Sequence, residues 1–303
     1  MPAVGVVLPT RDRPALLGRA VASVLGQSFH DLELVVVDDG SRAPAEETLA
    51  GLGDPRLRTL RVNEPVGPAR ARNLGLGALS APWIAFQDDD DEWLPGKLAE
   101  QMERARGAGA HVALIYGPFV RVDPGGRERR AGRRVEPPRG DLLHELLRGN
   151  FIALPAALVR ASALEELGPF DPQLPCFEDW ELFLRLAERF EFEYAERELV
   201  RAHESARSVN RASSATQARA FEHILDKHRR RIERDPTAHA WFLFHVAHHL
   251  CLAGDVERGR EYHRRALREA PSLKRAATLA ASLLGRGAYR SLARLFDGLR
   301  PAS

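Results

Sequence analysis

Two runs of carboxylates stand out for the chemistry they could do. Asp38-Asp39 closes the apolar, β-branched run Leu32–Val37, and Asp88-Asp89-Asp90-Asp91 closes Trp83-Ile84-Ala85-Phe86. Carboxylates held side by side repel, and each raises the other's pKa unless a cation sits among them. A hard divalent ion with oxygen ligands is the natural counter-charge. Mg²⁺ and Mn²⁺ are commonly held by one or two carboxylates together with substrate phosphates. If both runs share one rim of one sheet, they point to a metal-bridged diphosphate. The competing reading for Asp38 and Asp91 is a cap on a turn or on the next helix.

The elements that must position these groups alternate between two periods. Val4–Leu8 reads as a strand ended by Pro9, and Asp12 ahead of Pro14 reads as an N-cap. Leu17, Ala20, Val21, Val24 and Leu25 follow at helical spacing. Leu32–Val37, Arg58–Val62 and Trp83–Phe86 read as further strands. Residues 46–52, 68–79 and 95–108 read as helices. This order implies an α/β fold with a parallel sheet covered by helices on both faces. Right-handed crossovers then place the loops 9–13, 38–41 and 88–91 on one rim, where open α/β sheets bind ligands. Farther on, 112–120 reads as a strand, 121–139 as an Arg-, Gly- and Pro-rich loop, 142–147 as a short helix and 151–159 as extended. Residues 162–167 and 179–190 read as helices, and 191–202 as a last strand or two. From 212 the pattern is helical, with breaks at Asp235-Pro236, Gly254-Asp255, Pro271 and Gly285. A domain boundary is expected near 205–215, giving an α/β domain over 1–210 and a helical region over 211–303.

Several segments together resemble glycosyltransferase family 2. They are Val7-Leu8-Pro9-Thr10-Arg11-Asp12-Arg13, Val35-Val36-Val37-Asp38-Asp39-Gly40-Ser41, Gly67-Pro68-Ala69-Arg70-Ala71-Arg72-Asn73 and Phe86-Gln87-Asp88-Asp89-Asp90-Asp91-Glu92-Trp93. Phe177-Glu178-Asp179-Trp180 and Arg201-Ala202-His203-Glu204-Ser205 follow in the family's order. The resemblance covers about residues 1–210 and implies the GT-A fold, a Rossmann-like and mostly parallel sheet. It implies an inverting transfer from a nucleotide-diphospho-sugar, a UDP-sugar in the first instance. Pro9, Thr10 and Arg11 would line the nucleotide pocket, and Asp39 would accept a hydrogen bond from the base. Arg72 would reach the base or diphosphate. Asp88 and Asp90 would form the DxD pair, Asp88 toward ribose and metal and Asp90 on the metal, with Asp89 beside them on the donor. Asp179 would be the general base with Glu178 next to it, and His203 would approach the metal or diphosphate. The family usually carries an aromatic residue where Arg11 stands; a guanidinium can also stack on a base. The competing readings are a solvent-facing carboxylate for Asp89, a helix cap for Asp179 and a surface residue for His203.

The chemistry agrees with those roles. An attacking hydroxyl must lose its proton, which calls for a carboxylate on the acceptor side. A leaving nucleoside diphosphate gains charge that a divalent metal, Mn²⁺ or Mg²⁺, stabilises. The 44 basic and 42 acidic residues leave a net charge of +2, which gives no footprint for nucleic acid. Cys176 and Cys251 stand apart without CxxC spacing, so neither a disulfide framework nor a zinc site is expected. Residues 1–10 lack a secretory pattern and no apolar run is long enough to span a bilayer, so a cytoplasmic location is expected. The acceptor is expected to be a carbohydrate, a lipid-linked glycan or a protein. His245, His248 and His249 share a helix face but have no acidic partner, and read as core or surface histidines. The stretch Arg121–Arg139 reads as a solvated loop, with contact to a phosphorylated acceptor as the sharper alternative.

In the helical region, Trp241, Leu250, Gly254, Ala266 and Pro271 stand at spacings like one tetratricopeptide unit. The tail Leu273–Leu299 is amphipathic and basic, with an ordinary capping helix pair or peripheral contact with an anionic membrane as its two readings. A dinucleotide dehydrogenase would need GxGxxG after the first strand, which is missing. A phosphatase or receiver reading leaves Asp88–Asp91 and Glu178-Asp179 unexplained. A nucleotidyltransferase would need a Gly-rich basic loop after strand one. The remaining alternative is a non-catalytic sugar-nucleotide-binding or scaffold protein that works through its helical tail.

Overall fold

The computed structural model describes residues 1–131, 138–204 and 212–298, with side chains in the last helix to Arg294. The chain forms two compact units. The first opens with β1 (Val4–Thr10), α1 (Pro14–Leu25), β2 (Leu32–Asp39), α2 (Ala45–Leu49), β3 (Leu57–Val62), α3 (Pro68–Gly77) and β4 (Trp83–Phe86). It continues with β5 (Glu92–Trp93), α4 (Lys97–Gly107), β6 (Val112–Tyr116), β7 (Phe119–Val122), β8 (Glu128–Ala131) and α5 (Leu143–Leu146). It ends with β9 (Leu158–Arg160), α6 (Ala161–Leu167), α7 (Glu178–Ala187), β10 (Glu191–Tyr194) and β11 (Val200–His203).

The main sheet has seven strands in the order β10-β6-β9-β4-β1-β2-β3. β4, β1, β2 and β3 run parallel, and β9 lies antiparallel between β4 and β6. The chain leaves β1 on one side for β2 and β3, then returns on the other side as β4. That reversal leaves a crevice outside the carboxyl ends of β1, β2 and β4. The acidic runs at 38–39 and 88–91 therefore do share one rim. The near-continuous apolar run of β2 is buried because helices cover both faces. Leu17, Val21 and Val24 of α1 join Val6, Leu8, Leu34 and Val36 in the core. Gly75 lets α3 lie close to the opposite face, since a Cβ there would come within 2.5 Å of Val7 Cγ1.

Two local expectations are corrected. β1 continues through Pro9 to Thr10. β4 stops opposite Val7, so no ladder partner on that side needs the N–H that proline lacks. Asp12 does not cap α1: the cap position is Arg13, with no side-chain bond. Asp12 sits at φ 52° and accepts the Arg42 N–H at 2.9 Å, while its own N–H donates to Ser41 Oγ at 3.0 Å. The expected strand 112–120 is two strands in two sheets, and β8 falls in the expected loop 121–139, of which 132–137 lie outside the described residues.

The second sheet, β5-β11-β7-β8, was not anticipated. β5 directly follows the second acidic run and pairs antiparallel with β11, Arg201 opposite Glu92. This pairing carries His203 to that run. Behind β5, buried polar groups tie α4 down. Gln27 Nε2 donates to the Leu94 carbonyl at 2.8 Å, Gln101 Nε2 donates to Ile115 and Ala156 carbonyls, and Lys97 Nζ donates to Gln101 Oε1 at 2.8 Å. Burial holds the Lys97 pKa well below the ordinary range, and its ammonium lies 3.9 Å from the Trp93 ring centroid.

The second unit takes in 147–149, 173–177 and the chain beyond the expected boundary, which itself falls largely on 205–211, outside the described residues. Its helices are α8 (Ser214–Lys227), α9 (Arg229–Ile232), α10 (Pro236–Ala253), α11 (Val256–Glu269), α12 (Leu273–Leu283) and α13 (Arg286–Gly298). The punctuation read from the sequence sets their ends. Asp235 caps α10 by accepting the Thr237 and Ala238 N–H groups, and Gly254 closes it in the left-handed region. Asp255 and Ser272 cap α11 and α12. The histidines are internal partners: His245 Nδ1 lies 2.8 Å from the Trp241 carbonyl, and His248 Nδ1 and His263 Nε2 each lie 3.0 Å from the Tyr289 hydroxyl. No helix among the described residues is long and apolar enough to cross a membrane.

Candidate active site

The site lies in the first unit, on the rim where β1, β2 and β4 end. Asp38, at the end of β2, is fully buried and accepts the Ser41 N–H at 2.8 Å and the Ala45 N–H at 2.9 Å. Arg61 adds a 3.1 Å ion pair. Burial works against its charge, but these donors outweigh burial and hold the carboxyl below its ordinary range. Asp38 is therefore the turn and helix cap that the sequence left open. Asp39 accepts the Val66 N–H at 2.6 Å and the Gly67 N–H at 3.0 Å. It ties down the loop into α3, and each oxygen keeps a second lone pair.

The second run meets cations instead. Asp89 is buried rather than solvent-facing. It accepts the Thr10 hydroxyl at 2.8 Å and Arg13 Nη1 at 2.7 Å, and burial raises its pKa. The same Arg13 nitrogen lies 3.0 Å from Asp90 Oδ2, and Arg19 Nη2 donates to the Asp90 carbonyl at 2.6 Å. Asp91 accepts the His203 backbone N–H at 2.9 Å. Burial, then the charges of Asp88 and Asp90, push the Asp91 carboxyl well above its ordinary range. The His203 imidazole is lowered by burial and by the Arg19 charge.

Arg72, on α3, joins the two halves of the site. One guanidinium nitrogen donates to Asp88 Oδ1 at 2.8 Å and the other to Glu178 Oε1 at 2.7 Å. The guanidinium is buried, and its carbon lies 5.6 Å from the centroid of Phe170. Asn73 holds Phe170 in place with two backbone hydrogen bonds of 2.8 and 3.0 Å. Glu178 begins α7, so Arg72 binds the donor-side run to the acceptor-side pair. Asp179 is partly buried, and its carboxyl is raised to about 7, first by burial and then by the Glu178 charge. Its own oxygens accept the Trp180 N–H at 2.7 Å and Asn150 Nδ2 at 3.3 Å. Asn150 Oδ1 accepts the Ile152 N–H at 3.0 Å, which turns the amide so that its NH₂ faces Asp179.

The carboxylates and imidazole on this rim are donor types that a hard divalent cation takes. His203 Nε2 is buried without a hydrogen bond and lies 3.7 Å from Glu92 Oε2, while Asp88 Oδ1 is taken by Arg72. Burial raises Asp91 first and its acidic neighbours second, and it is the second contribution that a cation would relieve. Three ligands are not already gathered: no group of three or more His, Cys, Asp or Glu residues among the described residues could hold a metal ion. Asp90 faces Arg13 and would have to exchange that partner. Of the other expected residues, Pro9 stands half-buried at the rim and Arg11 is exposed beside it. Sequence reasoning missed Arg13, Arg19 and Asn150. Arg13 had a signal, a base one turn beyond the end of β1; Asn150 lies in an irregular segment and had none.

A mostly parallel sheet with this switch point and an acidic rim is the architecture of a GT-A-type protein. The pattern of glycosyl transferase family 2 matches residues 5–168, and the chain belongs to that family. It is 36% identical over 139 residues to the succinoglycan biosynthesis protein ExoO of Rhizobium meliloti, covering 46% of this chain and 39% of that one. It is 38% identical over 115 residues to the GalNAc(5)-diNAcBac-PP-undecaprenol beta-1,3-glucosyltransferase of Campylobacter jejuni, covering 37% of each. The matches thus span well under half the length of these relatives. The fold resembles S. aureus TarS 1-349 in complex with UDP-GlcNAc, with a TM-score of 0.71 and 16% identity over 99% of this chain and 93% of that one.

Proposed function

We propose that this chain is an inverting, metal-dependent glycosyltransferase that moves a sugar from a nucleotide-diphospho-sugar, in the first instance a UDP-sugar, to a hydroxyl acceptor. The observation that carries this reading is the Arg72 guanidinium bonded to both Asp88 and Glu178. It brings a carboxylate suited to the donor and the segment of the acceptor base to one buried cation. Asp179, raised to about 7, is matched to accept a proton near neutral pH. Asn150 orients its carboxylate, and burial, helped by the Glu178 charge, keeps its pKa high enough for proton abstraction. Arg11 offers an exposed guanidinium face to the base, and Asp39 retains lone pairs for a base N–H. Asp88, Asp90 and His203 would hold a divalent ion, which when bound supplies Lewis-acid stabilisation of the leaving diphosphate. Thr10 and Arg13 hold Asp89 at that place, and Arg13 would release Asp90 to the ion.

The names of the relatives, one in succinoglycan biosynthesis and one acting on a PP-undecaprenol glycan, support an acceptor in polysaccharide or lipid-linked glycan assembly; with it goes a proposed place in the cytoplasm or at the inner face of the cell membrane. A thermal-shift series of nucleotide sugars with and without Mn²⁺ tests the donor side: stabilisation by a UDP-sugar that needs Mn²⁺ is expected. Stabilisation equal in both conditions would remove the metal from the reading. Turnover assays on Asp179→Asn test the acceptor side, with loss of transfer and retained nucleotide binding expected. Nucleotide binding without turnover by the wild-type chain, with every candidate acceptor class, would favour the non-catalytic alternative.

A further inference from the structure

Helix α12 is patterned inside out. Its buried positions are Thr278, Ala281 and Ser282. The two hydroxyls are satisfied by carbonyls of their own helix: Thr278 Oγ1 lies 3.0 Å from those of Lys274 and Arg275, and Ser282 Oγ lies 2.6 Å from that of Leu279. The outward face carries the large apolar groups. Leu273 is 92% exposed, Leu283 58% and Leu284 80%, with exposed Ala276 and Ala280 between them. These residues recur at steps of three and four, so they form one continuous stripe opposite the buried side. A surface helix of an isolated globular unit shows the reverse arrangement. Contiguous exposed apolar surface rimmed by polar groups marks an interaction site.

The charges beside the stripe say what covers it. Lys274 adjoins Leu273, and Arg286 follows Leu284 in the turn to α13; Arg290 and Arg294 lie farther along α13. All four are exposed, although the Lys274 ammonium lies 5.3 Å from the Phe244 ring centroid and Arg286 and Arg290 each donate one Nη to the Leu252 carbonyl, at 3.0 and 3.4 Å. From residue 270 to 296 there is no Asp or Glu. Pairing this face with a second copy would bring the basic residues of two protomers together with no acid in this stretch to offset them. An anionic bilayer supplies both complements, acyl chains for the leucines and headgroups for the bases. We infer that the outward face of α12, with the bases that flank it, is a docking surface for anionic phospholipid. Leu283 and Leu284 enter the headgroup boundary, the guanidinium N–H groups of Arg286, Arg290 and Arg294 beyond those bonded to Leu252 meet phosphates, and Lys274 adds its charge from beside the Phe244 ring. Docking at this face brings the chain to the surface where a lipid-linked acceptor is held. The inference deepens the peripheral location proposed above, yet vesicle binding is read without any sugar transfer and so stands or falls apart from the transferase reading.

The test is sedimentation of the full chain with extruded vesicles of phosphatidylglycerol and phosphatidylethanolamine, against vesicles of phosphatidylcholine alone. Binding to the anionic vesicles is expected, with little to phosphatidylcholine and a marked loss at about 0.5 M salt. The double variant Leu283→Glu/Leu284→Glu should lose about ten-fold or more in partitioning. Because both side chains are exposed, its circular dichroism and melting temperature should match the wild type. Lys274→Glu/Arg286→Glu should abolish the preference for anionic lipid. A wild-type chain that stays in the supernatant overturns the inference, as does a double variant that binds undiminished. A dimer in solution that the double variant turns into a monomer also overturns it, by assigning the face to a second copy.

Discussion

The two acidic runs look alike in the sequence, and both close a buried parallel strand on the same rim, yet their carboxylates do different work. Asp38 and Asp39 accept backbone N–H groups, those of Ser41, Ala45, Val66 and Gly67. They hold loops, and Asp38 sits below its ordinary pKa because its partners are fixed donors. Asp88, Asp89 and Asp90 meet mainly the guanidinium groups of Arg72 and Arg13, where Asp38 has Arg61 besides its amides, and Asp91 is raised first by burial and then by its acidic neighbours. Backbone amides cannot be moved away, whereas a side-chain cation can exchange for a metal or a phosphate. Asp38 is therefore a structural clamp, Asp39 ties down its loop while keeping lone pairs at the rim, and the second run is a cluster of paired charges. A string of carboxylates does not reveal which it is; the mobility of its partners does.

Substitutions should separate the two runs. The largest expected effect is on transfer: Asp179→Asn should lower kcat by about 10²–10⁴-fold with nucleotide affinity retained, measured by titration calorimetry beside turnover. Arg72→Met should be next. It leaves Glu178 and Asp88 without their buried cation, at about 3–5 kcal/mol of stability in denaturant unfolding, and Arg72→Lys should recover part of that. Asp38→Asn should lower stability by about 2–3 kcal/mol through a misplaced NH₂ facing backbone donors, while the folded fraction still turns over. Folding lowers the Asp38 pKa, so its contribution is present above the ordinary carboxylate range and is lost as pH falls through the folded value. The difference in Tm between wild type and Asp38→Asn should accordingly narrow in acid.

A finer comparison lies within the acceptor side. Asp179 must be ionised to take a proton, so kcat/KM should rise with pH through about 7. Glu178→Gln removes a like charge and should move that rise to lower pH. Asn150→Ala removes a hydrogen bond to the ionised form and should move it to higher pH. Shifts in the same direction would show that Asn150 does not face the carboxylate in solution. The smallest effect belongs to the second unit: Asp235→Ala should cost about 1 kcal/mol at the α10 cap and leave nucleotide binding unchanged.

Much of the scaffold was legible because its signals are local. The strands at Leu32–Val37 and Trp83–Phe86, the prolines at 14, 68 and 236 and the breaks at Gly254 and Gly285 each act within a few residues of where they stand. The rim followed from chain order and crossover handedness alone. Less local features were missed. β5 and β11 are too short to read by period, and they pair only because the chain returns some hundred residues later. Asp12 resembles a helix cap, but Ser41 and Arg42, brought in by β2, claim both its N–H and its carboxylate.

The identity of the chain's chemistry was written in residue types: acids at strand ends, a late Glu-Asp pair, and a basic, apolar tail. Those are properties of single positions and of spacing, and they survive without coordinates. Which acid faces a guanidinium and which faces an amide is another matter. Arg72 reaches Glu178 across 106 positions, and Arg13 reaches Asp89 across 76. Such pairings arise only when the strands are laid side by side, because the energy of a buried charge depends on what stands within a few ångströms of it in space.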